Sequence, residues 1–144
     1  MKNLQQWLDE YGADHQNKTN QKVHLVCVPL IFLSVVAFLY MLPFEFAGVR
    51  VGDMLLPMAL FWYVFLGYKA FFIMLAQVVS AVGLTISAVL YLQTQGACIL
   101  FATLFFLAWI GQFWGHQQEG RKPSFFKDLQ YLLIGPLWVW LGKH

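Results

Sequence analysis

From Ala70 to Gln118 the chain carries no Asp, Glu, Lys or Arg. So long a run without formal charge cannot coat a water-facing surface. It is also too long to be the single buried core element of a chain of 144 residues. Hydrocarbon is the solvent that accepts it, since about 18 to 20 consecutive apolar residues cross a bilayer as a helix. Composition points the same way: 60% of the residues are hydrophobic and 11% are charged, against about 25% charged in soluble domains. Backbone groups in lipid must be paired within their own segment, so helices are expected rather than loops or open sheets. The predicted class is an all-α integral membrane helix bundle, with residues 1–144 forming one multi-span domain.

Turn signals divide the apolar sequence into about four spans. The first runs over about residues 24–43, with Pro29 in its early turns, where a kink is tolerable. A loop over 44–53 carries Glu45, Arg50 and Asp53. The second span, about 54–66, is short and contains Pro57, and Gly67-Tyr68-Lys69 is the turn that follows. The third covers about 71–92 and the fourth about 97–113, separated by a turn at Gln93-Thr94-Gln95-Gly96. Before the spans, Leu4, Trp7, Leu8 and Tyr11 fall at i, i+3, i+4, i+7, the stripe of a short amphipathic helix on the membrane surface or on the bundle. Gly12 weakens its end, residues 13–20 are polar, and Thr19 or Asn20 is the expected cap of the next helix. The last apolar stretch, 129–141, is too short for an ordinary span and is expected to be re-entrant, interfacial or packed on the bundle. Trp109, Trp114, Trp138 and Trp140 suit an interfacial belt.

Basic residues set the orientation. Lys2, Lys18 and Lys22 precede the first span, Lys69 sits in the second turn, and Arg121, Lys122 and Lys127 follow the fourth span. Only Arg50 occupies the opposite loops. The positive-inside rule therefore places both termini in the cytoplasm. The span assignment did not use the histidines, yet it brings His15, His24 and His116 to one membrane face.

That convergence gives an apolar protein a chemical centre. His15 and His24 are nine residues apart, which on one straight helix would set them on opposite sides. A break within Gln16–Thr19 lets both point at one place. Gln112, His116 and Glu119 are spaced i−4, i, i+3 and share one helical face. Helical bundles build metal sites from inward His and Glu side chains. Two or three imidazoles with a carboxylate or water suit Fe(II) and also zinc. Asn17, Asn20 and Gln112 are candidate partners that hold imidazole rings by hydrogen bonds. Arg121 and Lys122 could bind a carboxylate; the plainer reading is an anchor on lipid phosphate. Singly, each histidine reads as an ordinary interfacial residue.

The two clusters read His15-x-Asn17-x-x-Asn20-x-x-x-His24-x-x-x-x-Pro29 and Trp109-Ile110-x-Gln112-Phe113-x-Gly115-His116-x-x-Glu119, with Arg121-Lys122-Pro123 and a later Gly135-Pro136. Together they resemble the small membrane family of the fungal endoplasmic-reticulum 2-hydroxy-fatty-acid dioxygenase that acts in phytosphingosine breakdown, over nearly the whole chain. The resemblance implies a multi-span α-helical enzyme that uses Fe(II) and O2 to convert a 2-hydroxy fatty acid to the acid one carbon shorter. It implies His15, His24 and His116 as iron ligands, and Glu119 as a ligand or a neighbouring base. A bacterial inner membrane is the expected location, in place of the reticulum of the fungal relatives.

Other classes are bounded by what the chain lacks or carries. A net charge of +2 does not suit nucleic-acid binding. Cys27 and Cys98 both lie in apolar segments and read as small core residues rather than a disulfide. Two alternatives to the dioxygenase remain: a non-enzymatic membrane scaffold, and a zinc-dependent membrane hydrolase.

Overall fold

The structure, a computed structural model, describes residues 2–120 and 125–142, with the backbone alone at Glu119 and residues 125–130. In chain order its elements are α1 (Leu4–Ala13), α2 (Lys18–Met41), β1 (Glu45–Phe46), β2 (Val49–Arg50), α3 (Val51–Val64), α4 (Tyr68–Glu119) and α5 (Phe125–Leu141). The all-α expectation holds, with one addition. The expected loop over 44–53 contains a two-residue antiparallel hairpin pairing Glu45 with Arg50 and Phe46 with Val49. Ala47 and Gly48 turn it with φ of 53° and 79°, the left-handed pair that hairpin turns require.

Two helices, α2 and α4, are long and apolar enough to cross a membrane. At 1.5 Å per residue, the 24 residues of α2 extend about 36 Å, more than the roughly 30 Å hydrocarbon core. It runs unbroken through Pro29. The 14 residues of α3 extend only about 21 Å, so this segment is shorter than a standard span. The turn after it closes at Gly67, whose φ of 108° is open to glycine and strained for other residues.

The turn expected over Gln93–Gly96 is tighter than a loop. Helical backbone resumes almost at once, and only Gln93 leaves it, at φ 60° and ψ 169°. The helix after this break runs past residue 113 to Glu119, so Gln112 and His116 stand on one helix, as their spacing implies.

The chain divides into two compact units, one of Met1–Phe32 with Phe105–His144, the other Leu33–Leu104. The second unit has its core at Ala37, Ala97 and Phe101, with Leu33, Phe38 and Met41 packed around them. The first unit packs α1 against α5. Leu8 and Tyr11 are the buried residues of α1, and Ile134, Leu137 and Trp138 are fully buried on α5. The amphipathic reading of α1 therefore holds, with its apolar stripe on protein. An Asn3 capping box starts the helix: Gln6 N–H donates to Asn3 Oδ1 and Asn3 N–H donates to Gln6 Oε1, each at 2.9 Å.

Candidate metal centre

The site lies within the first unit, where α1, α2, α4 and α5 each contribute. His15 follows the end of α1, in a non-helical stretch before Lys18. The break expected in the sequence is there, and it turns His15 towards His24 on α2. On α2 the buried positions Asn20, His24, Val28 and Ile31 recur every three or four residues, so one helical face carries the site and its apolar floor. On α4, Gln112 is buried and His116 half-buried.

Close approach of α4 to α2 comes from two glycines. A Cβ on Gly111 would lie 2.7 Å from Cys27 Sγ, and one on Gly115 would lie 3.2 Å from Val23 Cγ1 and closer still to Asn20 Oδ1. Glycine four residues apart on one apolar helix face lets backbones meet, and here it sets His116 beside His24. Their ring centroids are 5.0 Å apart, and those of His15 and His116 5.3 Å.

Hydrogen bonds fix what the rings offer. His15 Nδ1–H donates to the Tyr11 carbonyl at 2.6 Å, and His24 Nδ1–H donates to the Asn20 carbonyl at 3.0 Å. A carbonyl oxygen only accepts, so this assignment puts the proton of each neutral ring on Nδ1 and leaves a lone pair on Nε2. Those two Nε2 atoms face each other at 3.0 Å. Two lone pairs so placed repel. A shared proton would relieve them at the expense of a buried charge; a divalent cation relieves them by using both. His116 supplies a third nitrogen, and the three ligand atoms all lie within 4.8 Å of one another. Nitrogens about 2.1 Å from a common metal are separated by about 3.0 to 3.4 Å at right-angled or tetrahedral angles. The His15–His24 pair is at that spacing, and the half-buried His116 is the ring that would close on it. Imidazoles oriented by carbonyls on their far nitrogens are the usual preparation for metal binding. The donor set therefore fits a metal ion.

Aromatic side chains enclose the imidazoles. Tyr11 stacks on His15 with centroids 4.3 Å apart and planes 9° apart. Tyr131 and Trp138 of α5 each lie 5.0 Å from Tyr11, and Tyr131 donates to Asp14 Oδ2 at 3.3 Å. A cavity of about 40 Å³ opens beside the histidines, lined among others by Gln112, Trp109, Tyr131, Val28 and Ile31.

The other sequence candidates fall as follows. Asn17 caps α2, accepting from the N–H groups of Thr19 at 2.8 Å and Asn20 at 3.3 Å, and donates to the Gln118 carbonyl at 3.1 Å. The cap expected at Thr19 or Asn20 is thus Asn17, because the helix starts at Lys18. Asn20 is fully buried, and it is its backbone carbonyl that orients His24. The Glu119 side chain, Arg121 and Lys122 lie outside the described residues. Trp114 and Trp140 are exposed, in keeping with a belt, but Trp138 is 1% exposed and belongs to the core. Its position seven residues after Tyr131 puts both on one face of α5, the signal that a belt reading passes over. Cys27 and Cys98 are free.

Fold and site together define an all-α protein with two membrane-length helices and a three-histidine centre suited to a metal. The chain matches the protein family described as Mpo1-like, 2-hydroxy-palmitic acid dioxygenase Mpo1-like, over residues 1–142, and it belongs to that family. The family agrees with the resemblance drawn from the two histidine clusters. No curated protein and no solved structure matches the chain.

Proposed function

We propose that the chain is an Fe(II)-dependent membrane dioxygenase that shortens 2-hydroxy fatty acids by one carbon. The observation that carries this reading is the pair of Nε2 atoms facing at 3.0 Å with His116 beside them, in a chain of the Mpo1-like family. The overall reaction is R–CHOH–COOH + O2 → R–COOH + CO2 + H2O. His15, His24 and His116 hold the metal. Bound Fe(II) would supply electrons for reaction with O2 and a Lewis-acidic site for substrate oxygens, chemistry open to a centre with three protein ligands and free positions.

The chain's own residues do the rest. The Tyr11 and Asn20 carbonyls hold the rings of His15 and His24 in place, and Gln112 at the cavity wall offers both a donor and an acceptor to the oxygens of the reacting head group. Glu119, three residues beyond His116, serves as ligand or base, and Arg121 or Lys122 offsets the carboxylate charge. Asn17 supports the site through the start of α2. A cavity of about 40 Å³ suits a head group, not a whole acyl chain. The tail therefore leaves past the apolar wall of Val28 and Ile31 into lipid, where each buried CH2 contributes about 0.8 kcal/mol.

Membrane placement is supported by exposure. Within the apolar window of α4 only 22% of the residues are buried in the protein, whereas a soluble core helix hides its apolar surface. Phe72, Val79, Leu90, Ile99 and Leu107 stand exposed along it. The reading includes about four spans, both termini in the cytoplasm and, for this chain, a bacterial inner membrane.

The test is oxygen uptake by detergent-purified, Fe(II)-loaded protein given 2-hydroxypalmitic acid, with the acid one carbon shorter measured as product. Uptake that needs the 2-hydroxyl and disappears in His116→Ala supports the proposal. Oxygen-independent turnover with bound zinc would move the assignment to a hydrolase, since three histidines also suit zinc.

A further inference from the structure

At the site, the buried Nε1 of Trp109 has no hydrogen-bond partner among the described residues and no role in holding a metal. Trp109 sits one turn before Gln112 on α4 and lines the same cavity as His24 and His116. The indole nitrogen can only donate. Its ring neighbours on the helix are Phe105 and Phe113, at 6.2 Å and 5.6 Å, and neither side chain offers an acceptor. Buried donors are nearly always paired, and the residue that carries this one lines the cavity, so what enters the cavity is the candidate partner.

The rest of the cavity narrows what that is. The Nδ1 protons of His15 and His24 are already given to backbone carbonyls, so these rings present lone pairs and no free N–H. A cation bound by the imidazoles and the single N–H of Trp109 would together favour a ligand with anionic oxygen. We propose that Trp109 Nε1–H donates to the carboxylate of the acid bound beside the three histidines, fixing which end of the acyl ligand enters. This rests on the dioxygenase reading for the identity of the acid. A resident water would also accept the proton, but then affinity for the acid would not depend on Trp109.

The experiment is an anaerobic titration of Fe(II)-loaded, detergent-solubilised full-length protein with 2-hydroxypalmitic acid, wild type beside Trp109→Phe, with iron content and melting temperature recorded for each. A hydrogen bond to a charged acceptor predicts binding weaker by about tenfold to a hundredfold, with iron content unchanged. Equal affinity in the two proteins overturns the assignment of Trp109 and leaves the dioxygenase reading standing. Wild type that holds iron yet binds no acid overturns both. Should Trp109→Phe lose its fold or its iron, wild-type protein loaded with zinc and ¹⁵N-labelled at tryptophan decides the matter. A downfield shift of the Trp109 indole proton on adding the acid supports the donor role, and an unmoved resonance refutes it.

Discussion

At the scale of single residues, the sequence exposes the ligands and conceals their surroundings. His15, His24 and His116 stand out because imidazoles are rare in so apolar a chain, and their ligand atoms lie within 4.8 Å of one another. Tyr11, Tyr131 and Trp138 do not stand out, because an aromatic residue on an apolar stripe reads the same whether it meets lipid, core or an imidazole. Asn17 shows the same limit from the polar side. Its amide could orient a histidine or cap a helix, and only the start of α2 at Lys18 decides for the cap. Replacing it with alanine should then cost about 1 kcal/mol, a fall of about 2–4 °C in melting temperature for a chain of this size, with iron retained. Iron loss at an unchanged melting temperature would show that Asn17 acts on the metal instead.

At the scale of elements, α1, the break before α2 and the two long apolar segments are legible as periodicity and turn composition. Two features are not. The break in α4 occupies one residue, Gln93, because the flanking residues keep helical backbone and need no loop. The close packing of α4 on α2 depends on Gly111 and Gly115, a spacing present in the sequence whose meaning appears only when the facing helix is known. Gly115→Ala should overpack against Asn20 and Val23 and cost about 1–3 kcal/mol, displacing His116 and lowering metal affinity. Gly83 on the same helix would carry a Cβ in open space, so Gly83→Ala should be neutral or stabilising by up to about 1 kcal/mol. Thermal melts and metal titrations of the two variants make the comparison; equal behaviour would contradict the packing role of Gly115.

At the scale of the whole molecule, the composition and two helices long and apolar enough to cross a membrane suit lipid as solvent, and three histidines close together suit a metal. The distribution of Lys and Arg predicts that reporter fusions at either terminus, and at the Gly67 turn, report a cytoplasmic position, and that a fusion at Gly48 in the hairpin reports the opposite side. A cytoplasmic Gly48 would contradict the four-span topology. His15, His24 and His116 are proposed to form one iron site, and metal analysis of detergent-purified protein tests it, with wild type beside His15→Ala, His24→Ala and His116→Ala. Near-stoichiometric iron is expected in wild type, lost from each variant while the helical content stays. Folded wild-type protein that takes up no metal after anaerobic Fe(II) loading would contradict it.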